Sequence, residues 1–214
     1  MQKSLADVLQ SKSVNILDFK SNSKSNRLAQ ALLAEAKKHE PNITKDLRII
    51  ASAKDAKMVN LEERFKSPES LSRKLLDTAT AFNIPINKIA SKNNDTLRYT
   101  FVLGTEKYAI GFAEILSELK QKGYEVPKQK IWNAWKQADT DNDKGYRGIN
   151  ITVISSQKQK FELQFHTVES FRLKTKTHGL YEEARSLSVS KQRKSEIKKE
   201  QIRLAKKVKR PKGI

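Results

Sequence analysis

Cationic and hydroxyl side chains crowd the start of one predicted helix. They are Arg64, Lys66, Ser67, Ser70, Arg73 and Lys74. Ser67-Pro68-Glu69 is typical of a helix N-terminus, with Ser as the N-cap, Pro at the first helical position and an acid in the first turn. Free backbone N–H groups, the helix dipole and flanking cations together suit a bound phosphate. A solvated basic first turn is the alternative that the same residues allow.

A second polar cluster is predicted on one face of a sheet. Side chains of a strand alternate between faces, and residues i and i+2 lie about 6.5–7 Å apart on the same side. This alternation places Glu162, Gln164 and His166 on one face of a strand and large apolar residues on the other. Neighbouring strands add polar residues to the same face: Arg98, Thr100, Asn150 and Thr152. Such a row suits chemistry, although a half-solvated antiparallel sheet produces the same pattern.

An acidic segment at Asp139, Asp141 and Asp143 resembles a calcium loop only superficially. The sixth position of an EF-hand loop would be Lys144 instead of Gly, and the twelfth would be Asn150 instead of Glu. We therefore exclude calcium binding and predict an acidic surface loop.

Hydrophobic periodicity predicts the elements that position these clusters. Two helical segments in the first sixty residues are separated by a polar linker at 20–26. Leu71, Leu75, Ala79 and Phe82 form the buried face of the helix that starts at Ser67. The other predicted elements are a strand at 98–103, a helix at 107–122 closed by Gly123, a hairpin of strands at 149–154 and 160–167, and a helix from Val168. This order indicates an α+β fold with helices covering a sheet.

The amino-acid composition limits the classes of partner and of binding site that the protein can have. The 214 residues carry a net charge of +19, which implies a polyanionic partner such as a nucleic acid, a nucleotide or an acidic protein. The chain has no cysteine and only three histidines, so thiolate-bound metals and a His-rich metal site are not expected. No apolar run approaches the roughly 20 residues that span a bilayer, and no signal peptide is recognised at the start, so we expect no membrane insertion.

The positive charge is concentrated at one end of the sequence. Residues 191–214 contain eleven Lys and Arg against two Glu, a net charge of +9. Apolar residues are sparse there, so the segment is predicted to be a solvated basic helix that ends before Pro211. A nucleic-acid contact and a partner-facing helix remain alternatives.

Four segments in chain order form a recognisable combination. They are Arg64-Phe-Lys66-Ser-Pro-Glu-Ser70-Leu-Ser-Arg-Lys74, Asp95-Thr-Leu-Arg98, Gly145-Tyr146-Arg-Gly-Ile-Asn150 and Glu162-Leu-Gln164-Phe-His166-Thr167. Together they resemble the synthetase domain of the RelA/SpoT homologue family, the alarmone pyrophosphokinases. The first matches the family's R-x-K-x-x-x-S-x-x-x-K motif at every fixed position. The last, with the later Lys174, His178, Tyr181, Glu182 and Arg185, looks most like the branch found in interbacterial polymorphic toxins.

The resemblance implies a fold and a division of the chain. It implies a mixed, nucleotidyltransferase-like β-sheet flanked by helices. We accordingly divide the sequence into an N-terminal helical extension (1–60), a synthetase core (61–188) and a basic C-terminal helix and tail (189–214).

The resemblance also implies a reaction, in which the β,γ-pyrophosphate of ATP moves onto a ribose hydroxyl of a purine nucleotide. The implied ATP-binding residues are Arg64, Lys66, Ser70, Arg73, Lys74 and Arg98. Asp95 and Glu162 would hold Mg²⁺, and Glu162 and Gln164 would be the catalytic pair, with Glu162 as the base. The implied acceptor-binding residues are Tyr146, Asn150, His166 and His178.

Departures from the family pattern lie mainly on the acceptor side. His166 replaces the family's Arg, Gly148-Ile149-Asn150 replaces Ser-Leu-His, and Asn93 stands where housekeeping members carry the metal-binding acid. The acceptor is therefore left open between adenosine and guanosine nucleotides. A toxin of this branch implies a cognate immunity or antitoxin protein and action in the bacterial cytoplasm, with delivery as a secreted effector as one route.

Two other functions are compatible with the sequence. The basic tail would suit pyrophosphorylation of a tRNA 3′ end. A non-catalytic basic RNA-binding module would also explain the charge, but its aromatics are not arranged as a stacking platform, since Trp132 and Trp135 are predicted in a helix or turn.

Overall fold

The computed structural model describes the backbone of residues 5–186 and 188–214 and the side chains of residues 22–186 and 188–214. Its helices are α1 (Leu5–Ala53), α2 (Pro68–Phe82), α3 (Ile86–Lys92), α4 (Tyr108–Gln121), α5 (Val168–Lys176), α6 (His178–Arg185) and α7 (Lys191–Ala205). Its strands are β1 (Lys57–Val59), β2 (Arg98–Leu103), β3 (Ile131–Asn133), β4 (Ile149–Ile154) and β5 (Lys160–Thr167). The three predicted strands have the predicted bounds, and Ser67 caps α2 as expected.

The strands form a five-stranded sheet in the order β1-β2-β5-β4-β3. β2 and β5 run parallel at its centre, and the other neighbouring pairs are antiparallel. β4 and β5 form the predicted hairpin, in which Asn150 lies opposite Gln164. This mixed sheet with flanking helices confirms the predicted α+β fold class.

One face of the sheet is apolar and carries the main core. The rings of Phe101 in β2 and Phe165 in β5 meet edge to face, with centroids 5.8 Å apart. Phe112 of α4 approaches the Phe165 ring to 4.9 Å, and Ile43 and Leu47 of α1 belong to the same buried cluster. Burying one such side chain contributes about 1.5–3 kcal/mol. The core therefore combines the end of the predicted 1–60 extension with the sheet, and it leaves the opposite sheet face available for polar residues.

The predicted linker at 20–26 is wrong, because α1 continues through it without a break. The reason is a tertiary contact that cannot be inferred from the polar composition of this segment. Ser25 is buried, and its hydroxyl lies 2.8 Å from the Ser72 hydroxyl of α2. A second hydrogen bond, from Ser25 Oγ to the Asn22 carbonyl, stays within the helix. Serine is thus used here as a small polar contact between packed helices.

The basic C-terminal segment is helical as predicted, but it is only partly solvated. Ile197 and Ala205 of α7 are buried, and Pro211 is buried beyond its end. Val208 and Ile214 pack against the main core. The interpretation of 189–214 as a solvated helix and tail is therefore wrong for its apolar side, because sparse apolar residues suffice to dock one face. Within the described residues, no helix is long and apolar enough to cross a membrane.

Gly145 marks a close approach between α7 and the turn before β4. Its φ is +70°, and a Cβ there would lie 2.6 Å from the backbone carbon of Gln201. We expect Gly145→Ala to destabilise the fold by about 3 kcal/mol, from left-handed strain plus overpacking. Gly123→Ala is the matched control, since Gly123 has φ +81° and open space around it. In chemical denaturation, the free energy of unfolding of the control should fall by only about 1–2 kcal/mol. An equal decrease for Gly145→Ala and Gly123→Ala would contradict the close contact at Gly145.

Candidate active site

The polar face of the sheet collects side chains from three adjacent strands. In β2, Arg98 lies beside Glu162 of β5, and Thr100 lies beside Gln164. On the other side of β5, Asn150 of β4 lies opposite Gln164. Gln164 is 7% exposed and His166 is fully buried. This face is therefore a polar cluster that is covered around Gln164 and His166 and partly exposed at Arg98, Asn150 and Glu162.

Hydrogen bonds link the members of this cluster around Glu162. Gln164 Nε2 donates to Glu162 Oε2 at 2.9 Å, and Asn150 Nδ2 donates to Glu162 Oε1 at 3.3 Å. Gln164 Oε1 accepts from Lys174 Nζ of α5 at 2.6 Å and from Thr100 Oγ1 at 3.3 Å. The amide of Gln164 thereby has a fixed orientation, with its NH₂ group directed at the carboxylate.

Glu162 has the properties of a general base. Burial raises its pKa above the ordinary carboxylate value, and the nearby Asp95 raises it further, whereas Arg98 and the Gln164 hydrogen bond oppose the rise. A carboxylate with a raised pKa accepts a proton more readily, which suits removal of a proton from a hydroxyl. Among the described residues, only the side-chain amides of Asn150 and Gln164 donate to its two oxygens, so the carboxylate can still accept a proton.

His166 is a neutral member of the cluster. Burial lowers its pKa to about 3, and the cationic Lys174 contributes to the decrease. Its Nε2 lies 2.9 Å from the Tyr146 hydroxyl, and its Nδ1 lies 3.0 Å from Ser170 Oγ. Ser170 forms a capping box with Thr167 at the start of α5. The imidazole therefore connects the cap of α5 to Tyr146 and carries no charge.

Tyr146 is held from several directions at the end of the cluster that lies next to β3. Its hydroxyl donates to Asn150 Oδ1 at 2.7 Å. Its ring stacks on Trp132 of β3, with centroids 5.2 Å apart and planes inclined by 19°. Trp132 thus lies in a strand, which corrects the predicted helix or turn, whereas Trp135 lies in a 3₁₀ turn. The orientation of the tyrosine ring is thus fixed by its neighbours.

The acidic loop before Tyr146 is not wholly a surface feature. Asp143 is buried, and both its oxygens accept from the Arg147 guanidinium, at 2.8 and 2.9 Å. The Gly145 amide donates to the same carboxylate at 2.8 Å. Burial alone would raise the pKa of Asp143, but these hydrogen bonds outweigh it and hold the pKa below its ordinary value. The pair fixes the turn that carries Tyr146.

A lysine pair surrounds Asp95 at the other end of the polar face. Lys66 Nζ lies 3.1 Å from Asp95 Oδ2, and Lys74 Nζ lies 2.6 Å from Asp95 Oδ1. Burial opposes ionisation of Asp95, but the two lysines outweigh it and lower its pKa. Lys74 also donates to Asn93 Oδ1 at 3.1 Å. Both lysines thus meet at the start of β2, beside Arg98.

Arg64, two residues before Lys66 in the chain, is fixed by α1. Its Nε donates to Glu40 Oε1 at 2.6 Å, and its Nη1 donates to the Leu61 carbonyl at 2.6 Å. Its guanidinium lies 5.2 Å from the centre of the Phe65 ring. Held in this way, the flat guanidinium is suited to stacking against a planar base. No sequence signal indicated Glu40, because it is remote in the chain.

The remaining predicted site residues have different surroundings. Ser70 donates its backbone amide to the Ser67 side chain in the first turn of α2, where its own hydroxyl is half-buried. Arg73 is exposed and approaches Glu182 of α6 at 3.5 Å instead of Asp95. His178 is exposed at the start of α6 and has no side-chain hydrogen bond to any described residue. The structure therefore brings together neither Arg73 nor His178 with the cluster.

The carboxylates of the cluster fit a metal only together with phosphate. Among the described residues, no group of three or more His, Cys, Asp or Glu side chains is arranged to hold a metal ion. Asp95 and Glu162 are close enough for the charge of one to raise the pKa of the other. Mg²⁺ takes one or two carboxylates and fills its octahedron with phosphate oxygens and water. The donor set fits Mg²⁺ in that form.

Comparisons with known proteins identify the fold. The sequence matches neither a protein-family model nor a curated protein. Among solved structures, small alarmone synthetase 1 from Bacillus subtilis has a TM-score of 0.56 and 14% identity, over 83% of this chain and 88% of that chain. Small alarmone synthetase 2 from the same organism has a TM-score of 0.55 and 18% identity, over 83% and 91%. Synthetase 1 bound to its product pppGpp gives 0.53 and 15%, over 81% and 86%. The chain thus has the fold of a small alarmone synthetase.

Proposed function

We propose that this protein, whose fold is that of the small alarmone synthetases, is an ATP-dependent nucleotide pyrophosphokinase. It transfers the β,γ-pyrophosphate of ATP to a ribose hydroxyl of a purine nucleotide and releases AMP. The observation that carries the proposal is Glu162, a half-buried carboxylate with a raised pKa between a lysine-rich end and an aromatic end of one polar face. A base is needed at that position, between donor and acceptor.

The reaction balances without a further reactant. The acceptor hydroxyl gives its proton to Glu162, and its oxygen forms a bond to the β-phosphorus of ATP. The bond between the β-phosphorus and the α,β-bridging oxygen breaks, and AMP leaves with the electron pair. Such transfer depends on positioning and charge neutralisation more than on covalent help from the protein. Asp95 and Glu162 are the residues that would hold Mg²⁺, which supplies neutralisation of the phosphate charge when bound.

The donor site is the lysine-rich end. Lys66 and Lys74 would bind triphosphate oxygens at the N-terminus of α2, where free amides favour anions. Their ammonium groups lie 3.1 and 2.6 Å from the carboxylate of Asp95. Arg64, fixed by Glu40, and Arg98 would flank the adenine. Ser70 would add a hydroxyl at the same helix start.

The acceptor site is the aromatic end. Tyr146 would stack on the acceptor base, with Asn150 and the neutral His166 holding its hydroxyl. We propose that the product is an adenosine or guanosine alarmone and that the protein is a toxin, acting in the bacterial cytoplasm by depleting ATP or making alarmones. Such a toxin requires a cognate immunity protein, and delivery as a secreted effector would bring it to its target.

Lys66→Ala is expected to raise the KM for ATP by about 10- to 100-fold and to change kcat less. The reason is that one charge-assisted hydrogen bond to the triphosphate is lost. Steady-state kinetics with ATP varied would measure it. Lys92→Ala, an exposed lysine in the last turn of α3, is the matched control. If KM were unchanged in Lys66→Ala, the lysine-rich end would not be the donor site.

One assay tests the proposed function directly. The protein is incubated with Mg²⁺ and ATP labelled in its γ-phosphate, together with GDP, ADP, AMP or tRNA, and the products are separated by chromatography. A labelled pyrophosphorylated nucleotide with matching AMP release is the expected result. If no acceptor became labelled, the proposed activity would be wrong and a non-catalytic RNA-binding module would be favoured.

A tRNA acceptor is the second candidate, and the position of α7 favours it. Backbone atoms of Gln201 and Ile202 in α7 lie directly behind Gly145, next to Tyr146. The exposed side of this helix is strongly basic, so a polynucleotide bound at Tyr146 would pass close to its charge. In the same assay, transfer of the label from ATP to tRNA but not to GDP, ADP or AMP would decide for this candidate.

A further inference from the structure

Cations outnumber acids around the polar face. Four cationic side chains approach it from the start of α2, from β2 and from α5, and two carboxylates lie among them: Lys66, Lys74, Arg98 and Lys174, with Asp95 and Glu162. Asp95 is paired with the two lysines near α2. Among the described residues, no carboxylate lies within ion-pair distance of Arg98 or Lys174, so the surplus positive charge is centred on these two.

Lys174 reaches the polar face from α5. Its ammonium lies 5.8 Å from the centre of the Phe171 ring. Its one hydrogen bond to a described residue is the 2.6 Å contact with Gln164 Oε1. An ammonium has three donors, so two are left for a ligand. Gln164 is a neutral partner, so the charge of Lys174 is opposed only by carboxylates beyond ion-pair distance, among which is Glu162.

Lys174 is a half-buried cation without an ion-pair partner, which makes this arrangement informative. Partial burial disfavours the charged form of Lys174 and, with the charge of Arg98, lowers its pKa to about 8, against the opposing pull of Glu162. A fold optimised only for stability would place an acid or an apolar residue here. An ammonium that has free donors on this face is instead suited to binding an anion.

The base indicates which anion this is. Arg98 lies beside Glu162 on the neighbouring strand, and Lys174 reaches Glu162 through Gln164. A general base must lie within hydrogen-bond reach of the hydroxyl that it deprotonates. The phosphorus attacked by that hydroxyl must therefore lie close to Glu162, between the donor end and the acceptor end.

We propose that Lys174 binds the pyrophosphoryl group during its transfer and contacts it from the acceptor side. This inference rests on the proposed function and adds a residue to its site. The oxygens of the transferred group carry negative charge throughout the step, and fixed donors stabilise such charge without reorganisation. Lys174 is thus a catalytic residue, and its bond to Gln164 also orients that amide towards the base.

Lys174→Met tests the proposal, since it keeps the packing on Phe171 and removes the charge. We expect kcat to fall about 100-fold, as when one preorganised donor is removed, with KM for ATP changed less than about threefold. The affinity for inorganic pyrophosphate in the presence of Mg²⁺, measured by calorimetry, should fall about tenfold or more. Lys174→Arg should retain part of the wild-type kcat and part of the wild-type affinity for pyrophosphate. Lys176→Met, an exposed lysine of the same helix, is the control and should behave as wild type.

Other outcomes would overturn the proposal. A loss of affinity for GDP or ADP with unchanged pyrophosphate affinity would assign Lys174 to the acceptor's own phosphate. If adding Lys174→Met to a protein that already carries Gln164→Met did not lower kcat further, Lys174 would act only by orienting Gln164. Wild-type kinetics in Lys174→Met would exclude any role. Conversely, Lys174-dependent binding of pyrophosphate without transfer to any acceptor would keep the anion site and reject the proposed function.

Discussion

Glu162→Gln should lower the rate of pyrophosphoryl transfer by about a thousandfold while ATP binding is retained, because a general base contributes about 10²–10⁴-fold. The amide keeps the size of the side chain but accepts no proton. Turnover is measured by AMP release, and ATP affinity by equilibrium binding of a non-hydrolysable analogue. Glu114→Gln, on the exposed side of α4, is the chemically matched control. Full turnover by Glu162→Gln would reject the mechanism.

The pH dependence of the wild-type rate checks the same assignment. Since burial raises the pKa of Glu162, the base is protonated at a higher pH than an ordinary glutamate. The rate should therefore fall with decreasing pH, with a midpoint above the ordinary carboxylate value of 4.5. The residual rate of Glu162→Gln should lack this acid limb. An unshifted midpoint would mean that Glu162 is not the titrating base.

Asp143→Ala should destabilise the fold by about 3–5 kcal/mol, the cost of leaving a buried charge without its partner. Asp143 and Arg147 are both buried and share two hydrogen bonds, so Ala at 143 strands the guanidinium. Thermal or chemical denaturation measures the loss. Asp141→Ala, two residues earlier and exposed, should lose at most about 0.5 kcal/mol.

Acid titration separates this ion pair from a packing effect. The pKa of Asp143 is lowered in the folded protein, so its contribution to stability is complete above its ordinary value of 3.8 and is lost as pH falls through the lowered value. The stability difference between wild type and Asp143→Ala should therefore shrink at low pH. A difference that did not change with pH would contradict the ion pair as its cause.

The parts of the site that lie on one strand could be predicted from the sequence. Alternation in β5 requires Phe161, Leu163 and Phe165 to share the buried face, so Glu162, Gln164 and His166 necessarily share the other. The start of α2 could also be predicted, because Ser67, Pro68 and Glu69 act through local backbone geometry. Both predictions depend on neighbours in the chain, for which periodicity is informative.

Contacts between remote elements could not be predicted in this way. Lys174 was part of the family resemblance without a role in the site, and Trp132 was predicted in a helix or turn. Only the packing of α5 over β5 and of β3 beside β4 gives them neighbours in the site. Ser25 looked like a linker residue because its partner Ser72 is 47 positions away. Asp143 was predicted to be solvated because acidic loops usually are. It is buried instead, because Arg147 donates hydrogen bonds to both its oxygens.

The contact between α7 and Gly145 has a consequence for the order in which the site is made during synthesis. Domains begin to fold while the chain is still being elongated, at about 5–20 residues per second. β5 completes the sheet by Thr167, but the turn that presents Tyr146 lacks its backing until Gln201 and Ile202 have followed. A ribosome-bound chain that has formed the sheet would therefore still lack a supported acceptor end. We therefore expect the proposed activity to appear only after the basic helix has been synthesised.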